Sequence, residues 1–248
     1  MSQLRIAVLD ATHQDEHTRR NFRRELDGSL SEFDVTDGSL PDHFEFDGAV
    51  VTGSRSSVYW DEEWIESTKA WISAAIDRGM PCFGICWGHQ LLADVLGGTV
   101  EDMGSYEVGY SDIERTDRDS TSRLLEGVSE RFLAFTSHSD AVTELPPGAT
   151  SLATNDYSNH GFRKGRVFGV QFHPEYDPVT ARDLVHSKNL SDERLASVLD
   201  EITEENYRAA AQAKLVFENF LAFVRETTAG DVSVEANGDR PSATGRSD

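Results

Sequence analysis

Hydrophobic runs alternate with amphipathic stretches over the first hundred residues of the chain. Apolar runs bounded by turn residues predict buried strands at RIAVLD (5–10), FDVTD (33–37), FDGAVVTG (46–53) and MPCFGIC (80–86). Apolar residues at helical spacing predict helices over 15–26, 61–79 and 87–96. Strands that alternate with helices in this way are typical of a parallel sheet with right-handed crossovers.

The pattern changes after residue 99. Residues 99–172 carry shorter runs with alternating apolar and polar positions, which predicts a mixed or antiparallel extension of the same sheet. Residues 178–226 return to helical spacing, whereas residues 228–248 are rich in Gly, Ser and Asp. We therefore expect an α/β fold with a flavodoxin-like or Rossmann-like, mostly parallel sheet flanked by helices. We expect one domain over 1–227 and a disordered acidic tail over 228–248.

The charge of the chain limits its partners. Its 248 residues include 44 acidic and 23 basic residues, which gives a formal net charge of -21. Binding of nucleic acid or anionic lipid needs clustered Lys and Arg, so neither partner is expected. An acidic surface poor in Lys suits a halophilic cytoplasm, because molar salt shortens the Debye length to about 3 Å and screens the self-repulsion.

The sequence also bears on location. Its apolar runs are too short to cross a bilayer, and the N-terminal stretch MSQLRIAVLD already has the pattern of a strand instead of a secretory signal. We therefore expect a cytoplasmic protein. Its two cysteines, Cys82 and Cys86, would lie about 13 Å apart along a strand, beyond disulfide reach.

The stretch PCFGICWGHQ places Cys86 between Gly84 and Gly88, where a strand gives way to a helix. A strand that turns sharply into a helix needs small residues two positions on either side of the corner, as in the G-x-S-x-G nucleophile elbow. Such a corner exposes the side chain at a helix N-terminus, which favours the thiolate form of a cysteine. A free cysteine that merely packs in the core is the alternative, but it leaves the two glycines unexplained.

A cysteine nucleophile needs a base, and RVFGVQFHPEYD offers one. His173 follows a strand, and the carboxyl ends of parallel strands gather functional groups at one edge of a sheet. Glu175, two residues on, shares its face in an extended segment and can orient the imidazole. The alternative is a surface histidine beside a solvated glutamate. His89 is assigned to packing or to the substrate side, because its ring projects along the helix.

A metal site made by Cys82, Cys86 and His89 is disfavoured, because Cys82 lies inside a strand and no fourth ligand accompanies the three. We expect neither a metal nor a cofactor.

GICWGHQLLADVLGG together with GVQFHPE resembles the class I (triad) glutamine amidotransferases. AVVTGSRSSVY resembles the oxyanion-loop strand of that family, and SHSDAVTELPPGATSLATND is similar to a segment of the amidotransferase domain of GMP synthases. The resemblance covers about residues 45 to 175. It implies Cys86 as nucleophile, His173 as proton shuttle and Glu175 as orienting partner.

The resemblance also implies the surroundings of the nucleophile. Backbone N–H groups of Trp87 and of the Gly53-Ser54 loop would form the oxyanion hole, and Gln90 would line the glutamine pocket. Family members that feed a synthase usually carry Gly-Gly-Pro in the oxyanion loop, where this chain has Gly53-Ser54-Arg55. We therefore expect a less rigid hole that forms when a substrate or partner arrives. Arg55 either pairs with a substrate carboxylate or is a solvated loop residue.

Three functions follow from the resemblance. The first is a glutaminase that forms a cysteinyl thioester and supplies ammonia to a separate synthetase, as in split GMP synthases; the chain shows no P-loop-like ATP pyrophosphatase motif. The second is a stand-alone hydrolase of γ-glutamyl peptides, which resembles members with Gly-Ser in the oxyanion loop. The third is a non-catalytic binding module with the same fold. The substrate is glutamine or a γ-glutamyl compound in the first two.

Overall fold

A computed structural model describes residues 3–116 and 123–238 of the chain. In the described part the strands are β1 Arg5–Asp10, β2 Ser29–Asp34, β3 Gly48–Val51, β4 Cys82–Ile85, β5 Thr99–Arg115, β6 Arg131–Glu144, β7 Thr150–Thr154, β8 Asn159–Lys164 and β9 Val167–Val170. The helices are α1 Glu16–Glu25, α2 Glu63–Asp77, α3 Trp87–Val95, α4 Pro178–Ser187, α5 Asp192–Glu201, α6 Glu204–Ala209 and α7 Leu215–Gly238.

All the described strands join one sheet in the order β2-β1-β3-β4-β9-β8-β7-β5-β6. Strands β2, β1, β3, β4 and β9 run parallel to one another, whereas the pairs β9–β8, β8–β7, β7–β5 and β5–β6 are antiparallel. The prediction of a mostly parallel α/β sheet with an antiparallel extension is confirmed. Because β9 pairs with β4, the segments after these two strands emerge side by side at one edge of the sheet.

Each face of the sheet carries an apolar core. On one face, side chains such as Val8, Phe83 and Phe168 pack with Phe217 and Phe220 of α7. On the other face, residues of β1, β3 and β4 pack against α2 and α3. A third cluster lies between β5, β6 and helices α4 and α5. The alternating directions of strand side chains explain why one strand supplies both cores.

Two strands differ from the prediction: β2 at the parallel edge of the sheet and β8 in its antiparallel part. The second strand is Ser29–Asp34 instead of 33–37, because the Asp34 carboxylate accepts hydrogen bonds from the Thr36 N–H (3.1 Å) and hydroxyl (2.7 Å) and starts a 3-10 turn. Strand β8 was not predicted. Its polar sequence NHGFRK has little apolar character, and its pairing with β7 and β9 specifies it instead.

The C-terminal helix is longer than expected. α7 continues through Gly238, and the hydroxyls of Thr227 and Thr228 donate to carbonyls one turn earlier (2.9 and 3.0 Å). The segment 228–238, predicted as part of a disordered tail, is therefore helical backbone here. The rest of that predicted tail, 239–248, lies outside the described residues. No helix in the described part is both long and apolar enough to cross a membrane.

Candidate active site

Cys86 stands at the corner between β4 and α3. Its backbone has φ 53° and ψ -105°, a strained conformation for a residue with a side chain, and it serves as the N-cap of α3. A Cβ added to Gly84 would lie 2.3 Å from the backbone of Gly88, and one added to Gly88 would lie 2.3 Å from the Val51 carbonyl oxygen. Both flanking positions therefore require glycine, which is the geometry expected of a nucleophile elbow.

His173 lies beside this corner. Its backbone N–H donates to the Phe135 carbonyl (2.8 Å), which fixes the segment after β9 against β6. The ring is buried, and its Nδ1 lies 2.8 Å from Glu175 Oε1. A Cβ added to Gly53 would lie 3.0 Å from His173 Cε1 and 3.7 Å from Cys86 Cβ, so the two side chains are neighbours, and the Cys86 thiol donates to the Ser137 carbonyl (3.8 Å). The structure thus brings together Cys86, His173 and Glu175.

The electrostatics of this group favour a charged imidazole. Burial by itself would lower the pKa of His173, but the charges of Glu175 and Cys86 outweigh it and raise the pKa to about 10. Tyr176 stacks on the His173 ring with centroids 4.2 Å apart and planes inclined by 22°. Burial, followed by the charge of Glu175, raises the pKa of Tyr176, so its phenol stays neutral.

A second layer holds the Glu175 segment in place. Arg24 of α1 donates through Nη2 to the Glu175 carbonyl (2.7 Å) and through Nη1 to Asp177 (3.0 Å). Asp177 also accepts from Arg20 (2.7 Å) and caps α4 through the Thr180 N–H (2.9 Å). The backbone next to the Glu175 carboxylate is therefore anchored to α1 and α4.

The loop after β3 passes over Cys86. A Cβ on Gly53 would lie 3.0 Å from His173 Cε1 and 3.7 Å from Cys86 Cβ. The Thr52 hydroxyl accepts from the Ala11 N–H (2.9 Å) and donates to the Gly53 carbonyl (3.1 Å), while Ser54 Oγ accepts from the Ser56 N–H (3.2 Å). Side-chain hydrogen bonds of Thr52 and Ser54 thus hold this loop in place. Trp87 begins α3 directly beside it.

A small pocket of about 60 Å³ opens next to Cys86 and Gln90. Gln90 Nε2 donates to the Asp140 carbonyl (2.9 Å) and to Gln171 Oε1 (3.0 Å), so its amide is locked in place. The Asp140 side chain, which also lines the pocket, accepts from the Tyr59 hydroxyl (3.1 Å). We call this space the Cys86 pocket.

Cys82 and His89 do not reach the corner group. Burial raises the pKa of Cys82 to about 12, and its thiol donates to the Met80 carbonyl (3.4 Å). Burial, together with the nearby His160, lowers the pKa of His89 to about 3, and its ring packs on Phe162 at 5.1 Å. Both side chains therefore belong to the core.

Sequence reasoning missed a buried cluster formed by Glu107, His138 and His160. The Glu107 Oε2 atom lies 2.8 Å from His138 Nε2 and 3.2 Å from His160 Nε2, and Oε1 accepts from Asn155 (2.7 Å). Burial opposes ionisation of Glu107, but the hydrogen bonds from the two rings outweigh it and lower its pKa. The three ligand atoms lie within 4.8 Å of one another, close enough to hold a metal ion, although ring N–H groups and an amide already satisfy the carboxylate.

A larger cleft of about 390 Å³ adjoins the Cys86 pocket, and His173 and Tyr176 form part of its wall. We call it the His173 cleft. Ser54, Arg55, Ser137 and Lys188 line both the cleft and the Cys86 pocket. Lys188 and Tyr176 were not singled out from the sequence, since no local motif marks them.

Comparison with known proteins shows the family to which the chain belongs. The family model described as "Glutamine amidotransferase class-I" matches residues 11–190. The chain is 38% identical over 129 residues to a glutamine-hydrolyzing GMP synthase of Helicobacter pylori, which covers 52% of this chain and 24% of that protein. It is 31% identical over 188 residues to the GMP synthase of Azoarcus sp., over 71% of this chain and 34% of that protein. The chain therefore matches only about a quarter to a third of the length of these relatives.

Solved structures share the fold. A glutamine amidotransferase of Thermotoga maritima superposes with a TM-score of 0.71 at 22% identity, over 89% of this chain and 99% of that one. A glutamine amido transferase of Methylobacillus flagellatus gives 0.73 at 19% identity, over 90% and 95%.

Proposed function

Because this chain belongs to the class I glutamine amidotransferase family, we propose that it hydrolyses the side-chain amide of glutamine through a thioester on Cys86. The observation that carries the proposal is the position of His173, buried between the elbow cysteine and the Glu175 carboxylate. An activated nucleophile needs a thiol, a neighbouring ring that takes up its proton and a third group that orients the ring, and Cys86, His173 and Glu175 are arranged in this order.

In the proposed reaction, the Cys86 thiolate attacks the γ-carbonyl carbon of glutamine. The C–N bond then breaks, and His173 gives its proton to the departing ammonia. In the second half, His173 takes a proton from water as the water attacks the thioester carbon. The C–S bond breaks, glutamate leaves, and the thiolate is restored.

Charge that develops on the carbonyl oxygen needs donors beside Cys86. We propose the backbone N–H groups of Trp87, Gly53 and Ser54 for this role, since they border the corner from α3 and from the loop after β3. One such donor contributes about 2.7 to 4 kcal/mol to transition-state stability. Gln90, held by Asp140 and Gln171, would shape the wall against which the glutamyl chain lies.

We further propose that the ammonia passes to a separate synthetase that acts in the cytoplasm. The relatives named above are glutamine-hydrolyzing GMP synthases, and the matched region is about a quarter of the Helicobacter pylori enzyme. The amidation step would then need protein outside the matched region. Glutaminase activity that rises when a candidate synthetase is added would support this transfer, whereas activity unchanged by any synthetase would contradict it.

The thioester step is tested by substitution of the two cysteines. Cys86→Ser should lower glutamine turnover by at least about a thousandfold, because the hydroxyl is a far weaker nucleophile beside the same ring. Cys82→Ser is the matched control, since its side chain is buried in β4, and it should keep most of the activity. The measurement is release of glutamate, together with mass spectrometry of the γ-glutamyl adduct on the intact chain.

Comparable glutamate release by the wild type and Cys86→Ser would overturn the proposal. Absence of glutaminase activity in the wild type with glutamine and synthetase present would instead favour a binding module with the same fold.

A further inference from the structure

The segment between β1 and α1 contacts the loop after β3 at two points. The Ala11 N–H donates to the Thr52 hydroxyl (2.9 Å), and His13 Nε2 shares a hydrogen bond with Ser56 Oγ (2.9 Å). These two contacts lie on either side of residues 53–55, the range that includes two of the proposed oxyanion donors. The position of these donors therefore depends on the segment between β1 and α1.

The segment that carries His13 is itself held in place. Asp10 Oδ1 accepts from the Thr12 N–H (2.9 Å) and hydroxyl (2.6 Å), and the Thr12 hydroxyl accepts from the Asp15 N–H (3.2 Å). His13 (φ 56°) and Gln14 (φ 67°) both have left-handed backbone, which residues with side chains rarely adopt. Such conformations persist only where surrounding contacts impose them, and they concentrate at functional sites.

The ring of His13 also packs toward the third proposed donor. It meets the Trp64 ring of α2 edge to face, with centroids 5.8 Å apart and planes inclined by 84°. Trp64 in turn packs on Trp87, with centroids 5.3 Å apart, and Trp87 begins α3. His13 therefore contacts both segments that carry the proposed donors, one directly and the other through a single ring.

The His13 ring is uncharged at neutral pH. Burial, followed by the charge of Arg55, lowers its pKa. The carboxylates of Asp34, Asp10 and Glu62 act in the opposite direction, but they do not outweigh the first two effects. The ring can therefore share a hydrogen bond with a hydroxyl without placing a second positive charge beside Arg55.

The hydrogen bond between His13 and Ser56 lies where the two spaces of the site meet. His13 lines the His173 cleft and Ser56 lines the Cys86 pocket, while Ser54 and Arg55 line both. The bond thus joins a wall of the cleft to a wall of the pocket. A change at this bond should therefore affect the loop that separates them.

From these contacts we propose that His13 is a positioning residue, whose hydrogen bond to Ser56 holds the loop after β3 with its backbone N–H groups ready for the oxyanion. The inference rests on the proposed function, because it assigns a residue to the same reaction. Donors that are fixed before the reaction stabilise the transition state more than the bound substrate. Loss of the hydrogen bond should therefore lower kcat and leave the KM for glutamine nearly unchanged.

Three variants test this role. Ser56→Ala removes the hydroxyl but keeps the backbone N–H that donates to Ser54 Oγ. His13→Leu removes the hydrogen bond, whereas His13→Gln places an amide near the position of Nε2. Both lose the ring contact with Trp64, so the difference between them reports the hydrogen bond.

We expect kcat to fall about tenfold in Ser56→Ala and in His13→Leu, which is the upper range for one hydrogen bond. His13→Gln should keep most of the wild-type kcat. The double variant of Ser56→Ala with His13→Leu should be no slower than the slower single variant, because both changes remove the same interaction.

Trypsin digestion without substrate measures the loop itself. Arg55 is exposed, so release of the loop should raise the initial rate of cleavage after Arg55 in Ser56→Ala and His13→Leu. Mass spectrometry of the peptides gives this rate. His43→Leu is the matched control, since His43 is an exposed histidine whose Nδ1 accepts from the Glu45 N–H (3.2 Å). It should change neither kcat nor the cleavage at Arg55.

A wild-type kcat in Ser56→Ala, or an equal loss of kcat in His13→Gln and His13→Leu, would overturn the inference. Faster cleavage at Arg55 without a lower kcat would overturn it as well, because the bond would then hold the loop without positioning the donors. Absence of glutamine hydrolysis by the wild type contradicts the proposed function instead. The cleavage at Arg55 still decides in that case whether His13 holds the loop.

Discussion

Glu175 is the residue whose charge most directly controls the proposed chemistry. Its carboxylate contacts His173 Nδ1 at 2.8 Å, and its negative charge stabilises the imidazolium that must protonate the leaving nitrogen. The backbone of this residue is held by Arg24, so a change confined to the carboxylate should leave the chain path intact. The charge of the proposed triad can therefore be tested without a change in the backbone that holds Glu175.

We predict that Glu175→Gln lowers kcat by about 10²- to 10⁴-fold. The amide has no negative charge, so the pKa of His173 should fall from about 10 toward the ordinary histidine value. The imidazolium would then be lost at lower pH, and the alkaline limb of the profile of kcat/KM should move to lower pH. Glu114→Gln serves as control, because Glu114 pairs with Arg131 at the surface. A lower kcat with an unshifted alkaline limb would contradict the electrostatic role.

The residue patterns predictable from sequence were the local ones. Gly84 and Gly88 each lie two positions from Cys86, and Glu175 lies two positions from His173. Within each of these two groups, local backbone geometry alone relates the residues. Glu107 lies 31 residues from His138 and 53 from His160, and only the pairing of β5 with β6 and the neighbouring β7–β8 hairpin brings them together. Lys188 likewise reaches the cleft only through the position of α4, which no motif specifies.

At the level of elements, the close contact between α3 and β3 positions Cys86, the proposed nucleophile. The Gly88 N–H donates to the Thr52 carbonyl (3.1 Å), and the absence of a side chain lets the helix approach the Val51 carbonyl. The sequence predicted α2, α3 and β4 to within a few residues because their apolar spacing and terminal signals are local. It placed β2 wrongly and missed β8, because turn chemistry at Asp34 and pairing with neighbouring strands decide those elements.

We predict that Gly88→Ala destabilises the fold by about 3 kcal/mol or more, since its Cβ would lie 2.3 Å from a backbone oxygen and cannot be relieved by a side-chain rotation. Chemical denaturation followed by circular dichroism measures the change. Gly230→Ala is the matched control: it lies in α7 with no atom within 4 Å of the added Cβ, and the better helix propensity of alanine should raise stability by up to about 1 kcal/mol. Equal stabilities of Gly88→Ala and the wild type would contradict this account of the elbow.

On the scale of the whole molecule, the sheet topology forms the site and the net charge affects the stability of the fold. The sheet order could not be predicted from sequence, because the pairing of β9 with β4 joins segments about 85 residues apart, as in Cys82 with Val167. That pairing brings the end of β9 next to the elbow and so creates the site. The net charge of -21 belongs to the whole chain, and the repulsion among its acidic residues is a property of the entire surface.

We predict that the melting temperature rises by roughly 5 °C or more between 0.1 M and 2 M KCl, because salt screens repulsion that the ion pairs of the folded chain leave uncompensated. Salt also weakens those pairs, but the chain has 44 acidic and only 23 basic residues, so the screening of repulsion should dominate.

A triple variant, Glu45→Gln with Asp77→Asn and Asp200→Asn, separates this effect from a general salting-in or salting-out of the chain. These three exposed carboxylates form no ion pair in the described residues, and the last two lie near helix C-termini, where the helix dipole disfavours negative charge. The variant should melt higher than the wild type at 0.1 M KCl, and the gap should shrink at 2 M as screening removes the repulsion in both. A wild-type melting temperature that does not change with salt, or a gap that persists at 2 M, would show that repulsion among surface carboxylates does not limit the stability of this fold.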